Sequence, residues 1–219
     1  MYSWNTVESE IIRTMITRRP ELECCVPAME AFHAALVNVY DNNGCFFTCG
    51  NGGSNADALH IVGELCKSFE RKRTLAGDFI ERLNGLPYSE ELAEHLEAGL
   101  PAVALGLNSP LKTAIENDIP VPNIAFAQEL NALIKSHDML LAISTSGNAA
   151  NCIMAMSVAK AKQGVTAALT GPKGGMMAQH ADIAIRVPGE DTKHIQEAHV
   201  VIWHTLCCLI EAHYFPQKR

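Results

Sequence analysis

Short, uniformly apolar runs alternate along this chain with longer segments in which apolar residues recur every three or four positions. The short runs are CFFTCG (45–50), PAVALG (101–106), DMLLAIS (138–144), TAALTG (166–171) and DIAIRVP (182–188). Each is bounded by Gly, Pro, Asn, Asp or Ser, and each is too short for a helix, so they predict buried strands. The 3.6-residue period predicts helices over Thr6–Arg18, 26–40, 54–69, 109–116, 123–134, 149–163 and 192–214. Residues 74–100 are polar with a helical period broken at Gly85 and Pro87, which predicts a helical hairpin inserted over about 77–98.

Strands that are apolar throughout, rather than on alternate positions, are covered on both faces. Helices of ten or more residues between them supply the crossovers of a parallel sheet. The expectation is an α/β fold: one domain over 1–219, a three-layer doubly wound sandwich with a mostly parallel five-stranded sheet, preceded by N-terminal helices over 6–40. Such a sheet binds ligands beyond the carboxyl ends of its strands.

Composition narrows the class. The 219 residues are 48% hydrophobic and 19% charged, enough for a substantial core with no compositionally disordered segment. The net charge of −7 argues against nucleic-acid binding, since a phosphate backbone would be repelled overall. No apolar run reaches the roughly 20 residues that span a bilayer. The start, MYSWNTVESEIIRTM, lacks the basic and apolar regions of a secretory signal. The eight cysteines include two adjacent pairs and no C-x-x-C unit, a poor disulfide or zinc-knuckle framework. Reduced thiols in a cytoplasmic protein are the expectation.

Two of the predicted strand-to-helix turns carry chemistry. GNGGS (50–54) and STSGN (144–148) each follow an apolar strand and open a helix. The first N–H groups of a helix lack intrahelical partners and sit at the positive end of its dipole. Glycine lets the backbone approach an anion, and Ser and Thr add hydroxyl donors. A single Ser here also serves as an ordinary N-cap. Three hydroxyls in a row, Ser144, Thr145 and Ser146, exceed what capping requires. Neither loop fits the Walker pattern, and the first misses G-x-G-x-x-G, so a small phosphate is expected rather than a nucleotide.

His60 and Glu64 lie four apart on the helix after the first loop, and therefore on one face. The final helix is apolar enough to be a core helix yet is interrupted by Gln196, His199 and His204. Gln196 and His204 are some 80° apart around that helix, and they flank one ligand only where it passes close. A surface His–Glu pair is the bland alternative. Imidazole and carboxylate together suit a divalent ion such as zinc, and the same groups perform acid–base work. His199 and His213 read as structural or exposed, and Glu197 as solvated.

CGNGGSNADALHIVGEL, AIEND, LLAISTSGNAANCIMAMSVAKAKQGVTAALTGPKGGMMAQHADIAIRVP and IQEAHVVIWHTLCCLIE, in this order, resemble the sugar isomerase (SIS) domain, and within it the phosphoheptose isomerases. The resemblance implies a SIS fold and the interconversion of sedoheptulose 7-phosphate and glycero-manno-heptose 7-phosphate through an enediolate. It implies a cytoplasmic homotetramer with active sites between subunits, and one zinc ion per subunit. It places sugar-phosphate contacts on Asn51, Gly52, Gly53, Ser54, Asn117, Asp118, Ser144, Thr145 and Ser146. It assigns metal ligands to His60, Glu64, Gln196 and His204. Glu64 is the implied base and His204 the implied acid, with Glu64 and Gln196 also touching substrate.

The sequence departs from the family pattern at Ala149, where another hydroxyl usually stands, at Ser68, in the place of an arginine, and at Lys193, in the place of an acid. Lys67, Arg71 and Arg73 are the cations near Ser68. The competing class is a non-catalytic SIS module that binds phosphosugars or assembles with another protein. Retention of all four polar residues weighs against it.

Overall fold

The computed structural model describes residues 4–216. Its sheet has five strands, β1 (Phe46–Gly50), β2 (Ala102–Ala104), β3 (Met139–Ser144), β4 (Val165–Thr170) and β5 (Ile183–Arg186), in the order β2-β1-β3-β4-β5. Every neighbouring pair is parallel. The sheet is thus fully parallel where a mostly parallel one was expected. β1 and β3 are buried along their whole lengths, as their unbroken apolar composition requires.

Alternate side chains feed two cores. Phe46, Met139, Leu141, Ile143 and Leu169 meet α1 (Thr6–Arg18), α2 (Val26–Asp41), α3 (Gly53–Cys66) and α10 (Thr192–Tyr214). Phe47, Leu140, Ala142 and Ala168 meet α7 (Ala125–Leu133), α8 (Ala150–Ala161) and α9 (Gly175–His180) on the other face. That is the three-layer arrangement. The 77–98 segment holds two short helices, α4 (Gly77–Leu83) and α5 (Ser89–His95), before β2, and α6 (Ser109–Asp118) follows it.

Several boundaries differ from the periodicity. The run 101–106 shrinks to Ala102–Ala104, an edge strand closed by Gly106 at φ 88°. The helix expected over 54–69 ends at Cys66, because Lys67 turns extended and the residues after it are bonded elsewhere. The helix expected from 123 starts at Ala125, since Asn123 sits left-handed at φ 67°. Neither α9 nor the 3-10 segment Pro20–Cys25 was anticipated; at six residues each they are too short for a period to register. The stretch Pro20–Asp41 is long and apolar enough by composition to cross a membrane. Its Met29, Phe32, Leu36 and Val39 nevertheless pack into the α2 core at 0–2% exposure. It is therefore read as a core helix.

Candidate active site

The strand order reverses between β1 and β3, and a doubly wound sheet opens its ligand crevice at that point. Both candidate loops land there. Gly52 adopts φ 55° to turn β1 into α3, and Gly147 adopts φ 67° between β3 and α8. A side chain at Gly147 would collide with the Gly174 carbonyl, so glycine is required. Reciprocal amide hydrogen bonds of 2.8 Å between Asn51 and Asn151 tie the loops together. The second loop is braced from behind: Met177 N–H donates to Gly147 O at 2.9 Å, Met176 N–H to Asn148 Oδ1 at 3.0 Å, and Gly171 N–H to Thr145 O at 3.0 Å. Ser146 Oγ lies 3.5 Å from Ser144 Oγ and accepts the Asn148 N–H at 3.2 Å. Loops held this way present their donors without reorganisation.

A cleft of about 760 Å³ opens beside the first loop, lined by Asn51, Gly52, Asn55, Asn151 and the α6 residues Lys112 and Glu116. Asn117 and Asp118 are exposed at the end of α6, and Asn117 Nδ2 donates to Asp118 Oδ1 at 2.9 Å. Within one chain they bond each other, and the cleft wall is built by their helix neighbours.

α3 and α10 run side by side in the same direction, and this brings His60, Glu64 and His204 together. One donor atom from each lies within 4.8 Å of the others. His60 Nε2 is 2.9 Å from Glu64 Oε1. The rings of His60 and His204 are 5.2 Å apart, with Trp203 beside them and Phe69 stacked on His204 at 5.6 Å. Burial holds the His204 ring below the ordinary histidine pKa, reinforced by His60 and opposed by Glu64. His60 is half-exposed in this chain, which leaves the cluster accessible. His204 also borders a groove of about 590 Å³, whose opposite wall is α1.

Gln196 lies at the other end of α10. A methyl group on Gly53 would sit 2.6 Å from its Nε2, so the amide rests over the first loop rather than beside His204. Three of the four expected ligands thus meet in space, and Gln196 lies at the first loop instead. His199 is fully buried, its pKa pushed by burial down to about 4, while Glu197 is exposed.

Other residues escaped the sequence reading. Asp57, one turn before His60 on the same face, is half-buried; burial raises its pKa, opposed by Trp203 and His60. Its three-residue spacing from His60 was the available signal. Asn151 had no local signal, because its partner comes from another strand's loop. Glu211 is fully buried and accepts N–H groups of Phe69, Glu70 and Arg71 at 2.7, 2.8 and 3.0 Å, plus Arg73 Nε at 2.8 Å. Arg73 in turn donates to the Glu64 carbonyl at 2.7 Å, closing the end of α3 that carries Glu64. Ser68 Oγ donates to Glu97 at 2.7 Å, and the Ser68 carbonyl accepts from Lys67 Nζ at 3.0 Å. Lys193 is solvent-exposed.

A parallel sheet with hydroxyl- and glycine-rich loops at its switch point, and a His–Glu–His cluster on the adjoining helix pair, defines a doubly wound α/β protein with an anion-type crevice beside an acid–base or metal-type cluster. The SIS domain family model matches residues 119–208. The phosphoheptose isomerase of Roseiflexus sp. (strain RS-1) is 33% identical over 211 residues, covering 96% of this chain and 94% of that protein. That of Aneurinibacillus thermoaerophilus is 37% identical over 190 residues, covering 87% and 83%. The solved phosphoheptose isomerase from Francisella tularensis superposes with a TM-score of 0.72 at 30% identity, covering 92% of this chain and 95% of that one. The chain belongs to the phosphoheptose isomerase family of SIS-domain proteins.

Proposed function

We propose that this protein isomerises sedoheptulose 7-phosphate to D-glycero-D-manno-heptose 7-phosphate, with Glu64 as base and His204 as acid. The observation that carries the assignment of roles is the meeting of Glu64 and His204, far apart in sequence, beside a helix that begins in a phosphate-type loop. The terminal phosphate is held by Asn51, Gly52, Gly53 and Ser54 together with Ser144, Thr145 and Ser146. His60 lies about 10 Å along α3 from Gly53, a span that suits a long phosphorylated sugar better than a triose. Gln196, resting over Gly53, contacts the sugar between the two ends, and Asn117 and Asp118 are proposed to close on it.

Isomerisation begins when Glu64 removes the C1 proton next to the C2 carbonyl, and His204 protonates the carbonyl oxygen as the enediol forms. Loss of the O1 proton and return of a proton to C2 then yields the aldehyde. With Glu64 Oε1 bonded to His60, Oε2 is left for the carbon-bound proton. The lowered pKa of His204 makes its protonated form a stronger acid. Trp203 and Phe69 wall the ring in and limit water there.

The donor set fits zinc: two imidazoles and a carboxylate converge, and the exposure of His60 leaves a position open. His60, Glu64 and His204 would hold one ion per subunit, and it would supply Lewis-acid polarisation of the carbonyl. A homotetramer with active sites between subunits is supported by the separation, within one chain, of the loop cleft from the groove at His204. Eight unpaired cysteines support a reducing, cytoplasmic setting. We read residues 1–219 as a single SIS domain with 77–98 as an insertion.

The test is Glu64→Gln, assayed for turnover and for binding of sedoheptulose 7-phosphate. Turnover should fall by at least about 100-fold while binding persists. Full activity in this variant removes Glu64 as the base. Binding without turnover in the wild-type protein, across C5 to C7 sugar phosphates, would instead favour the non-catalytic module.

A further inference from the structure

A second cluster of ligand-type side chains lies outside the site described above, where α1, α2 and α10 meet. Glu8, His33 and His213 each direct one donor atom to a common point, all within 4.8 Å of one another. Glu8 Oε1 is 3.8 Å from His33 Nε2 and 3.6 Å from His213 Nδ1. The Glu8 side chain is 3% exposed and that of His33 is fully buried, whereas His213 is 35% exposed and opens the cluster to solvent.

The orientation of these groups is set by their far atoms. Glu8 Oε2 accepts the Asn5 N–H at 2.9 Å as part of the α1 capping box, which turns Oε1 toward the imidazoles. Oε1 itself accepts no hydrogen bond, although it is buried. A buried carboxylate oxygen left in that condition is costly. His33 is tethered through a backbone hydrogen bond to Leu209, which presents Nε2 to Glu8. Histidine ligands commonly donate their second ring nitrogen to a carbonyl in just this manner.

We propose that Glu8, His33 and His213 form a second, structural binding site for a divalent transition-metal ion, with a water in the remaining position. A tetrahedral zinc with bonds of about 2.1 Å holds its ligands about 3.4 Å apart. The 3.6 and 3.8 Å edges need contract by only a few tenths of an ångström. Two imidazoles and a carboxylate suit zinc, cobalt or nickel over calcium or magnesium. The ion fastens α1 to α2 and α10, and α1 is the wall facing His204 across its groove. Its role is to hold that wall in place.

The test uses the full chain stripped with a chelator and titrated with Co²⁺, whose visible spectrum reports bound ion and coordination. His213→Ala is the working variant, because its exposed ring can be removed without opening the core. It is made both in the wild-type background and with His204→Ala, so that the two clusters are counted separately. The expected result is loss of one equivalent of bound Co²⁺ on His213→Ala in each background, with no thiolate charge-transfer band in the lost component. Zn²⁺ should raise the melting temperature of His204→Ala but not that of the double variant. An unchanged equivalent count in both backgrounds, or a thiolate band in the component removed, overturns the site. These outcomes are independent of whether the His60, Glu64 and His204 cluster binds metal.

Discussion

Replacing Glu211 by glutamine tests how the Glu64 end of α3 is held. Glu211 Oε1 accepts the Phe69 N–H and Arg73 Nε, and Oε2 accepts the Glu70 and Arg71 N–H groups, all at 2.7–3.0 Å. A glutamine places an NH₂ where one oxygen stood. Whichever way the amide turns, a donor faces two donors, and Arg73 loses its counter-charge at zero exposure. Breaking one side of a buried pair costs roughly 3–5 kcal/mol. For a chain of this size that is a fall in melting temperature of about 6–20 °C. Urea and thermal unfolding at fixed protein concentration give the values directly. A double change to Glu211→Met with Arg73→Met should not restore stability, because three backbone N–H groups still lose their acceptor. A Glu211→Gln variant within about 1 kcal/mol of wild type, or full rescue by the double change, would refute the clamp. Turnover should fall as well, since Arg73 also holds the Glu64 carbonyl.

The other predictions are local. Gly53→Ala meets only the far end of the Gln196 side chain, so stability should stay within about 1 kcal/mol while KM rises; an unchanged KM would show that Gln196 and Gly53 do not touch substrate together. Gly147→Ala forces an L-residue into φ 67° against the Gly174 carbonyl and should destabilise by more than about 2 kcal/mol, read by urea unfolding. His199 has a folded pKa of about 4 against 6.5 unfolded, so the unfolded chain binds the extra proton between those values. Stability is therefore lost as pH falls from 6.5 to 4, by up to about 3 kcal/mol. A His199→Leu variant should show a flatter decline over that window, and an identical decline would assign the loss to other groups.

The periodic pattern was enough to place all five strands, the α/β class and the long terminal helix Thr192–Tyr214. The central strands β1, β3 and β4 are covered on both faces and must be apolar throughout, while the edge strands β2 and β5 were legible as short apolar runs between turn residues. The glycine and hydroxyl loops were legible for a related reason: a strand-to-helix turn is a local event, and its residues are neighbours in the chain. Likewise, the His60–Glu64 contact follows from four-residue spacing alone. What spacing leaves open is which distant segments meet. His204 joins that pair, and Gln196 rests over Gly53, only because α10 returns alongside α3 on one face of the sheet. The Asn51–Asn151 bridge and the Glu211–Arg73 clamp likewise join residues that the strand order makes adjacent. Local sequence carries propensity and periodicity; the crossover path of the chain, chosen by burying two apolar faces of one sheet at once, decides which polar groups share a site.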